Sequence, residues 1–564
     1  MDVNVPCQAG CPAATNIPAY IRCLFEHRYD ESYQINRTAN LLPGVLGRIC
    51  SRPCEDRCRH GEPELGKPVN ICHIKRAAAD FRSAPAGLER VSPSMEKTIA
   101  IVGAGPAGLA AAHDLAAIGM KVTLLEAFDE PGGMLKYGIP RFRLPRDVLK
   151  AEIEAILELG ITLKTGCRVG SDISLRELLD RYDAVLLAAG CYVPGGLGVP
   201  GEELPGVLTG LDMMMDLEAL RLPELGRRVL VLGAGFTAFD CARTALRSGA
   251  EDVAICIRRT EEDFTVTEDE IFQAKKEGIR ILTLMTSSRI LGRDRVEGVE
   301  FLRTRPAGFG PDGRRRIEAI EGSGFVLPAD TVVVAVGQKP APFPFPGDGN
   351  RDGRLEVSTD QVRTSVSGLY VAGDYKTGPS TVIQAIAGGR EAAERIAEDL
   401  TGRVFRRTCV RQEDTNATDR QRSWDYLPRQ EMPTVEPVGA RLEGGSMEVE
   451  TGFSGEQASE EAKRCYLCYL HYEIDMNRCI YCRYCIDVAP RDCIKLVSRI
   501  QLNDDGAVIG LEETADWREV NAVVIDNSRC IRCGECVRVC PVDCISVTRV
   551  ERVERIHEEG ANHA

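Results

Sequence analysis

The chain has no apolar run near the roughly 18 residues that a membrane-spanning helix needs. Its first residues, MDVNVPCQAGCP, carry neither a basic head nor an apolar core, so a secretory signal is not expected and a cytoplasmic location is. Positive charge is in deficit. With 70 Lys and Arg against 84 Asp and Glu, the net charge of -14 makes nucleic acid a poor partner. Histidine is scarce: the seven are mostly scattered, and no Ser/His/Asp constellation or general base is found. A 564-residue chain that is 44% apolar then reads as a soluble globular protein of roughly three to five domains.

Cysteine breaks the pattern of shortages. There are 23, gathered mainly in residues 7–72 and 465–544. Disulfides are rare in a reducing compartment. Segregated cysteines there argue for metal or iron–sulfur ligation.

Lys97 to Glu126 organises the middle of the chain. The apolar run Ile99–Val102 meets Gly103-x-Gly105-x-x-Gly108, a helical pattern follows, and a second strand, Lys121–Leu125, ends in Glu126. This is a dinucleotide fingerprint in full context. Gly103 permits the tight turn, Gly105 lets a pyrophosphate approach the backbone, and Gly108 lets helix and strand pack closely. The helix N-terminus offers N–H groups to phosphate, and Glu126 is placed for a ribose hydroxyl. The competing reading is an ordinary βαβ unit whose glycines serve packing alone.

A second fingerprint begins at Arg228: Gly233-x-Gly235-x-x-Ala238, with Thr237 in the loop. Its second strand ends in Arg258-Arg259 and has no acidic residue. Guanidinium suits a 2′-phosphate, which favours NADPH over NADH; arginines merely solvated at a strand end are the alternative. Cys167, Cys191, Cys241 and Cys256 form no C-x-x-C or C-x4-C pair. Each reads as a small buried side chain, so electrons would leave such a site through the cysteine-rich ends.

Near the N-terminus stand Cys7-x3-Cys11-Pro12, Cys50-x3-Cys54-x3-Cys58 and Cys72, a pattern open to iron–sulfur or zinc. Near the C-terminus, Cys479-x2-Cys482-x2-Cys485 recurs as Cys530-x2-Cys533-x2-Cys536-x3-Cys540-Pro541. The doubling is that of a two-cluster ferredoxin, in which the fourth cysteine serves the other cluster. Cys540 completes the first cluster. Ala489 stands where the second cluster's partner is due, and Cys493 is the expected substitute; Cys544 is its equivalent in the second repeat. Cys465-x2-Cys468 is left without a role, because too few cysteines remain for a third all-cysteine cluster within this domain.

The segments PCQAGCPAATNIPAYI, LLPGVLGRICSRPCEDRCRHG and KPVNICHIKR resemble the N-terminal iron–sulfur domain of glutamate synthase small subunits and of dihydropyrimidine dehydrogenase. Those domains carry two [4Fe-4S] clusters, with further cysteines upstream of the position of Cys7. The chain begins at Met1 without them, so one cluster is expected. Its ligands would be Cys11, Cys50, Cys54 and Cys58, with Cys7 and Cys72 as substitutes and Cys23 buried on a helix.

Residues 97–400 resemble the two-domain pyridine-nucleotide flavoprotein reductases. GGMLKYGIPRFRLP, with Gly133 and Met134, matches the segment lying along the flavin, and Ala189-Gly190 matches a domain crossing. Thr331–Pro340, with Gly337, is the return. Gly373-Asp374 matches the ribityl site, and Thr381–Gln384 the helix start at the pyrimidine edge. The polar stretch 403–460 reads as a linker by composition, and resembles the tail of glutamate synthase-like subunits that wraps over the flavoprotein.

The expected fold is multidomain α/β. A helical iron–sulfur domain (1–90) precedes two Rossmann-like domains, for FAD (91–215 and 340–402) and NAD(P)H (216–339). The connector (403–460) leads to an α+β two-cluster ferredoxin (461–564). The resemblance implies an FAD-dependent NAD(P)H oxidoreductase that exchanges electrons with ferredoxin or a larger catalytic oxidoreductase subunit within a hetero-oligomer. A self-sufficient reductase and a non-catalytic relay subunit are the other expectations.

Overall fold

The computed structural model describes residues 5–62, 66–83, 88, 94–310, 315–343, 362–416, 419–503 and 508–556. It has the multidomain α/β architecture. The strand TIAIV, Thr98–Val102, is apolar and almost wholly buried, as suits a parallel strand covered on both faces. Its sheet runs Leu369–Val371, Ala184–Leu187, Thr98–Val102, Lys121–Leu125, Thr162–Lys164, with every pairing parallel. A second parallel sheet repeats the plan: Val207–Thr209, Thr331–Val334, Arg228–Leu232, Asp252–Cys256, Arg280–Leu282.

The two sheets are joined by a two-stranded antiparallel ribbon. Gln338 and Lys339, on the way back, pair with Pro194 and Val193, on the way out. The returning chain ends in the 20-residue helix Val382–Thr401, which lies along the helix Pro106–Ala117. Gly389 makes that approach feasible, since a Cβ there would stand 2.1 Å from the Ala107 carbonyl oxygen.

The apolar periodicity of IPAYIRCLFEHRYDESYQI suggests one helix, but there are two, Ile17–Phe25 and Tyr29–Asn40. His27 takes φ 59°, and Arg28 N–H reaches back to the Cys23 carbonyl at 2.8 Å. This left-handed stop closes the first helix without glycine. The short helix Pro43–Ile49 docks on the first sheet's domain. Its Gly44 and Val45 N–H groups donate to the Glu152 carboxylate at 2.8 and 2.9 Å, and Tyr33 Oη–H at 3.1 Å. Burial pushes the Glu152 carboxyl up, and the two backbone donors oppose that.

The stretch that composition reads as linker is partly a strand. Arg406–Thr415 pairs antiparallel with Val547–Ile556 of the final strand, Ile545–Ile556. Backbone hydrogen bonds hold this edge, so an apolar pattern is not needed. Farther on, Val449 N–H donates to the Phe142 carbonyl at 3.0 Å. Arg441, fully buried, donates to Gln273 Oε1 at 2.8 Å. Ser454 and Gln457 form a capping box that starts the helix Gly455–Lys463. Arg464, just after it, donates to the Lys67 and Pro68 carbonyls at 2.6 and 3.1 Å.

The two ends of the chain thereby share one apolar core. Tyr20, Ile21 and Leu24 near the N-terminus pack in the same cluster as Tyr466, Ile494 and Val547. Among the described residues, no helix is long and apolar enough to cross a membrane.

Candidate active site and thiolate groups

Gly103, Gly108 and Gly233 sit where a side chain could not. A Cβ on Gly103, at φ 103°, would lie 2.5 Å from the Ala188 carbonyl oxygen, and one on Gly108 would lie 1.9 Å from the Gly103 carbonyl oxygen. Gly105 instead faces Gly133, whose Cβ would stand 2.8 Å from the Gly105 Cα. Two glycine turns thus lie side by side, with Met134 opening a short helix after Gly133. Glu126, 5% exposed, accepts from Ala104 N–H at 2.8 Å and Phe128 N–H at 2.9 Å. Burial pushes its carboxyl up, and those donors oppose the shift. The carboxylate is therefore braced against the loop that a pyrophosphate would approach.

Across the same sheet, Gly373 takes φ 61°, and a Cβ there would stand 2.6 Å from that of Ala107. Asp374 follows it. Burial raises its carboxyl, and hydrogen bonds from Ser380 oppose that. Thr381 caps the long helix, with Gln384 Oε1 accepting from Thr381 N–H at 3.1 Å.

In the second fingerprint, a Cβ on Gly233 would meet the Ala335 carbonyl oxygen at 2.3 Å, whereas Gly235 is open. Ala238 is fully buried and Thr237 half-buried in the first helical turn. Arg258 is exposed. Arg259 is committed, donating through Nε to the Arg315 carbonyl at 2.8 Å. Gly337, at φ 113°, lies in the return ribbon and its carbonyl accepts from Gly195 N–H at 2.8 Å.

Sequence reasoning missed the residues that hold the two domains together. Arg143, on the segment GGMLKYGIPRFRLP, donates to both Asp240 oxygens at 3.0 and 2.9 Å and pairs with Glu270 at 2.7 Å. Arg141 and Arg146 pair with Glu218 at 3.0 and 2.9 Å. Burial pushes the Asp240 carboxyl up to about 6 against the pull of Arg143. Three arginines in six residues, facing an acidic residue on the FTAFDCAR helix, were the available signal.

The cysteines fall into four groups. In the first, Cys50 and Cys72 pack in one apolar core, and Cys72 Sγ–H donates to the Leu46 carbonyl at 3.1 Å. Buried Lys75 lies among Cys50, Cys72, Cys54 and Cys11; desolvation disfavours its charge, but the surrounding thiolates outweigh that and push its pKa up. In the second, Cys7 is raised by burial and then by Cys468, Cys58, Cys465 and Cys54. In the third, Cys493 is buried in the same apolar core as Cys530, Cys533 and Cys536. In the fourth, Cys479, Cys482 and Cys485 line one cavity with Cys540 and Cys544, whose sulfurs are 3.5 Å apart.

Cys11, Cys50 and Cys54 therefore meet Cys72, whereas Cys58 stands with Cys7. Cys493 reaches the second ferredoxin triplet. Among the described residues, no three His, Cys, Asp or Glu converge closely enough for a single metal ion. Zinc holds thiolates at about 2.3 Å and draws them into mutual contact, whereas an iron–sulfur core stands between its thiolates. All-cysteine donor sets that do not converge on one ion fit the latter.

Residues 97–389 match the model of the pyridine nucleotide-disulphide oxidoreductase family. Residues 3–86 match dihydropyrimidine dehydrogenase domain II, 4Fe-4S cluster, and residues 478–544 match the 4Fe-4S dicluster domain. The beta subunit of an NADP(+)-dependent formate dehydrogenase from Moorella thermoacetica is 37% identical over 519 residues, 83% of this chain and 71% of that one. The glutamate synthase [NADPH] small chain of Halomonas elongata is 34% identical over 418 residues, 70% of this chain and 88% of that one. FprA of Mycobacterium tuberculosis, solved with NADPH, aligns with 55% of this chain and 85% of its own at 22% identity and a TM-score of 0.50, a likeness of fold.

Proposed function

The chain belongs to the pyridine nucleotide-disulphide oxidoreductase family, and from that premise we propose that it is the electron-exchanging subunit of a larger NADPH-dependent complex in the cytoplasm. One observation carries the reading: Cys50 and Cys72 share the apolar core of the first dinucleotide loop's domain, and Cys54, Cys465, Cys530 and Cys533 share a second core that reaches the ferredoxin. A bound flavin converts a hydride's electron pair into the single electrons that clusters accept.

The chain's own residues bind and orient. Gly103, Gly105 and Gly108 admit the FAD pyrophosphate, Glu126 takes the ribose, and Gly133 and Met134 border the flavin. Gly373 and Asp374 hold the ribityl chain, with Thr381 and Gln384 at the pyrimidine edge. Gly233, Gly235, Thr237 and Ala238 admit NADPH, and Gly337 borders it. Arg258, exposed and in the ribose position, takes the 2′-phosphate, while Arg259 braces the strand end. Arg143 and its carboxylates fix the nicotinamide domain against the flavin segment.

Cys11, Cys50, Cys54 and Cys72 hold the N-terminal cluster, since Cys58 lies in another group. Cys530, Cys533, Cys536 and Cys493 hold one ferredoxin cluster. Cys479, Cys482, Cys485 and Cys540 hold the other. That last group is the outermost. Ile480 is 58% exposed and Tyr484 56%, beside half-buried thiols, whereas the second triplet is buried. Electrons leave or enter there, at a face suited to a partner subunit. The relative from Moorella thermoacetica is named as one subunit of a formate dehydrogenase, which supports a large catalytic partner of that general kind. Anaerobic native purification tests the reading. Co-elution with a larger oxidoreductase subunit is expected, and a lone chain that turns over ferredoxin by itself would replace it.

A further inference from the structure

Among the cysteines left once three clusters have ligands, four come together from distant parts of the chain. Cys7 and Cys58 come from the N-terminal domain, and Cys465 and Cys468 from the far side of the connector. They meet in one apolar core: Cys7, Cys465 and Cys468 are each 9% exposed, and Cys58 is half-buried at its edge. All are free thiols.

The backbone at Cys465 has the shape of the ferredoxin loops. In Cys479-Ile-Tyr481-Cys482 and Cys530-Ile-Arg532-Cys533 the third residue takes φ 55° and 56°. Arg532 N–H then donates to Cys530 Sγ at 3.4 Å. Leu467, third in Cys465-Tyr-Leu467-Cys468, takes φ 51°, and its N–H donates to Cys465 Sγ at 3.4 Å. Leucine adopts a left-handed conformation at a steric cost. That cost has a purpose if both sulfurs and the amide turn toward one centre.

The loop is also fixed in place. Arg464, 2% exposed, ties it to the Lys67 and Pro68 carbonyls. Arg420, 1% exposed, donates to the carbonyls of Cys465 at 3.3 Å and of Ile531, in the second ferredoxin triplet, at 3.1 Å. Two buried guanidiniums beside the site also offset the net negative charge of a thiolate-bound cluster.

We infer that Cys7, Cys58, Cys465 and Cys468 hold a fourth [4Fe-4S] cluster, with ligands drawn equally from the two ends of the chain. It rests on the redox reading above and deepens it. Cys54 of the first group adjoins Cys7, and Arg420 spans Cys465 and the second triplet. The fourth cluster therefore stands between the N-terminal cluster and the ferredoxin, and turns two separate relays into one path. It also staples the connector to the N-terminal domain.

The test uses the full chain, purified and reconstituted anaerobically, with iron counted per FAD. Wild type should hold about sixteen irons, and Cys465→Ala with Cys468→Ala about twelve, with loss of one paramagnetic signal after dithionite reduction. Cys58→Ala should give the same loss, and combining all three should remove no more. Cys23→Ala should remove none. Unchanged iron in the Cys465/Cys468 variant, or losses that add when Cys58→Ala is combined with it, would overturn the site. If that variant loses FAD through misfolding, Cys7→Ala decides by the same count. NADPH bleaching of the flavin, read in parallel, belongs to the redox reading alone, so either can fail without the other.

Discussion

The two parallel sheets are built alike and end differently. Each runs a strand into a glycine turn and a helix, and each turn is closed by a backbone carbonyl that leaves no room for a side chain. At the tip of the second strand the first sheet has Glu126, buried and held by two backbone amides. The second has Arg258, exposed. A braced carboxylate accepts ribose hydroxyls, while a free guanidinium seeks a phosphate. On the function proposed above, that one residue position separates a resident nucleotide from an exchanging one on the same scaffold.

The sharpest way to break this comparison is to close one turn at a time. Gly108→Val drives a side chain into the Gly103 carbonyl and should cost at least tenfold in FAD retained per chain, read by absorbance after gel filtration. Gly233→Val, against the Ala335 carbonyl, should leave FAD in place and abolish bleaching by NADPH. If both lose FAD equally, the two halves are not separate sites.

Next in size is the contact between the halves. Arg143→Ala strands Asp240, which is 2% exposed, and should destabilise the domain contact by about 3 kcal/mol. Chemical denaturation followed by flavin fluorescence would check it; an unchanged midpoint would mean the domains are held elsewhere. Smaller again, Arg258→Ala should lower the ratio of NADPH to NADH efficiency by about tenfold, or about 1.4 kcal/mol. No fall would return Arg258 to a solvated strand end.

The last prediction concerns acid stability and Glu277, on the second sheet's domain. Burial raises its carboxyl, but hydrogen bonds from Arg247 and the charge and hydrogen bonds of Arg243 outweigh that and bring it down to about 2. A folded pKa below the unfolded one means stability that is complete above about 4.5 and lost as pH falls toward about 2. Acid unfolding of Glu277→Gln should therefore be flatter than that of wild type between those values.

The glycine turns were legible in the sequence because their logic is local: a strand, three small residues, a helix and an acid within thirty positions. The ferredoxin triplets were legible for the same reason. Grouping of the remaining cysteines was not. Whether Cys58 joins Cys50 or Cys7 depends on which helix faces it, and Cys465 shares a core with Cys7 because contacts such as those of Arg464 and Glu461 tie two distant segments together. Spacing cannot report a contact across more than 400 residues. The strand Arg406–Thr415 was hidden for a related reason, since its partner lies at the far end of the chain.

Anaerobic mixing of the chain with NADPH, followed from the flavin band into the broad cluster absorbance, tests the central claim most directly. Bleaching of the flavin followed by loss of cluster absorbance, without added mediator, is the expected result. A flavin that stays oxidised, or one that bleaches while every cluster remains oxidised, would contradict it.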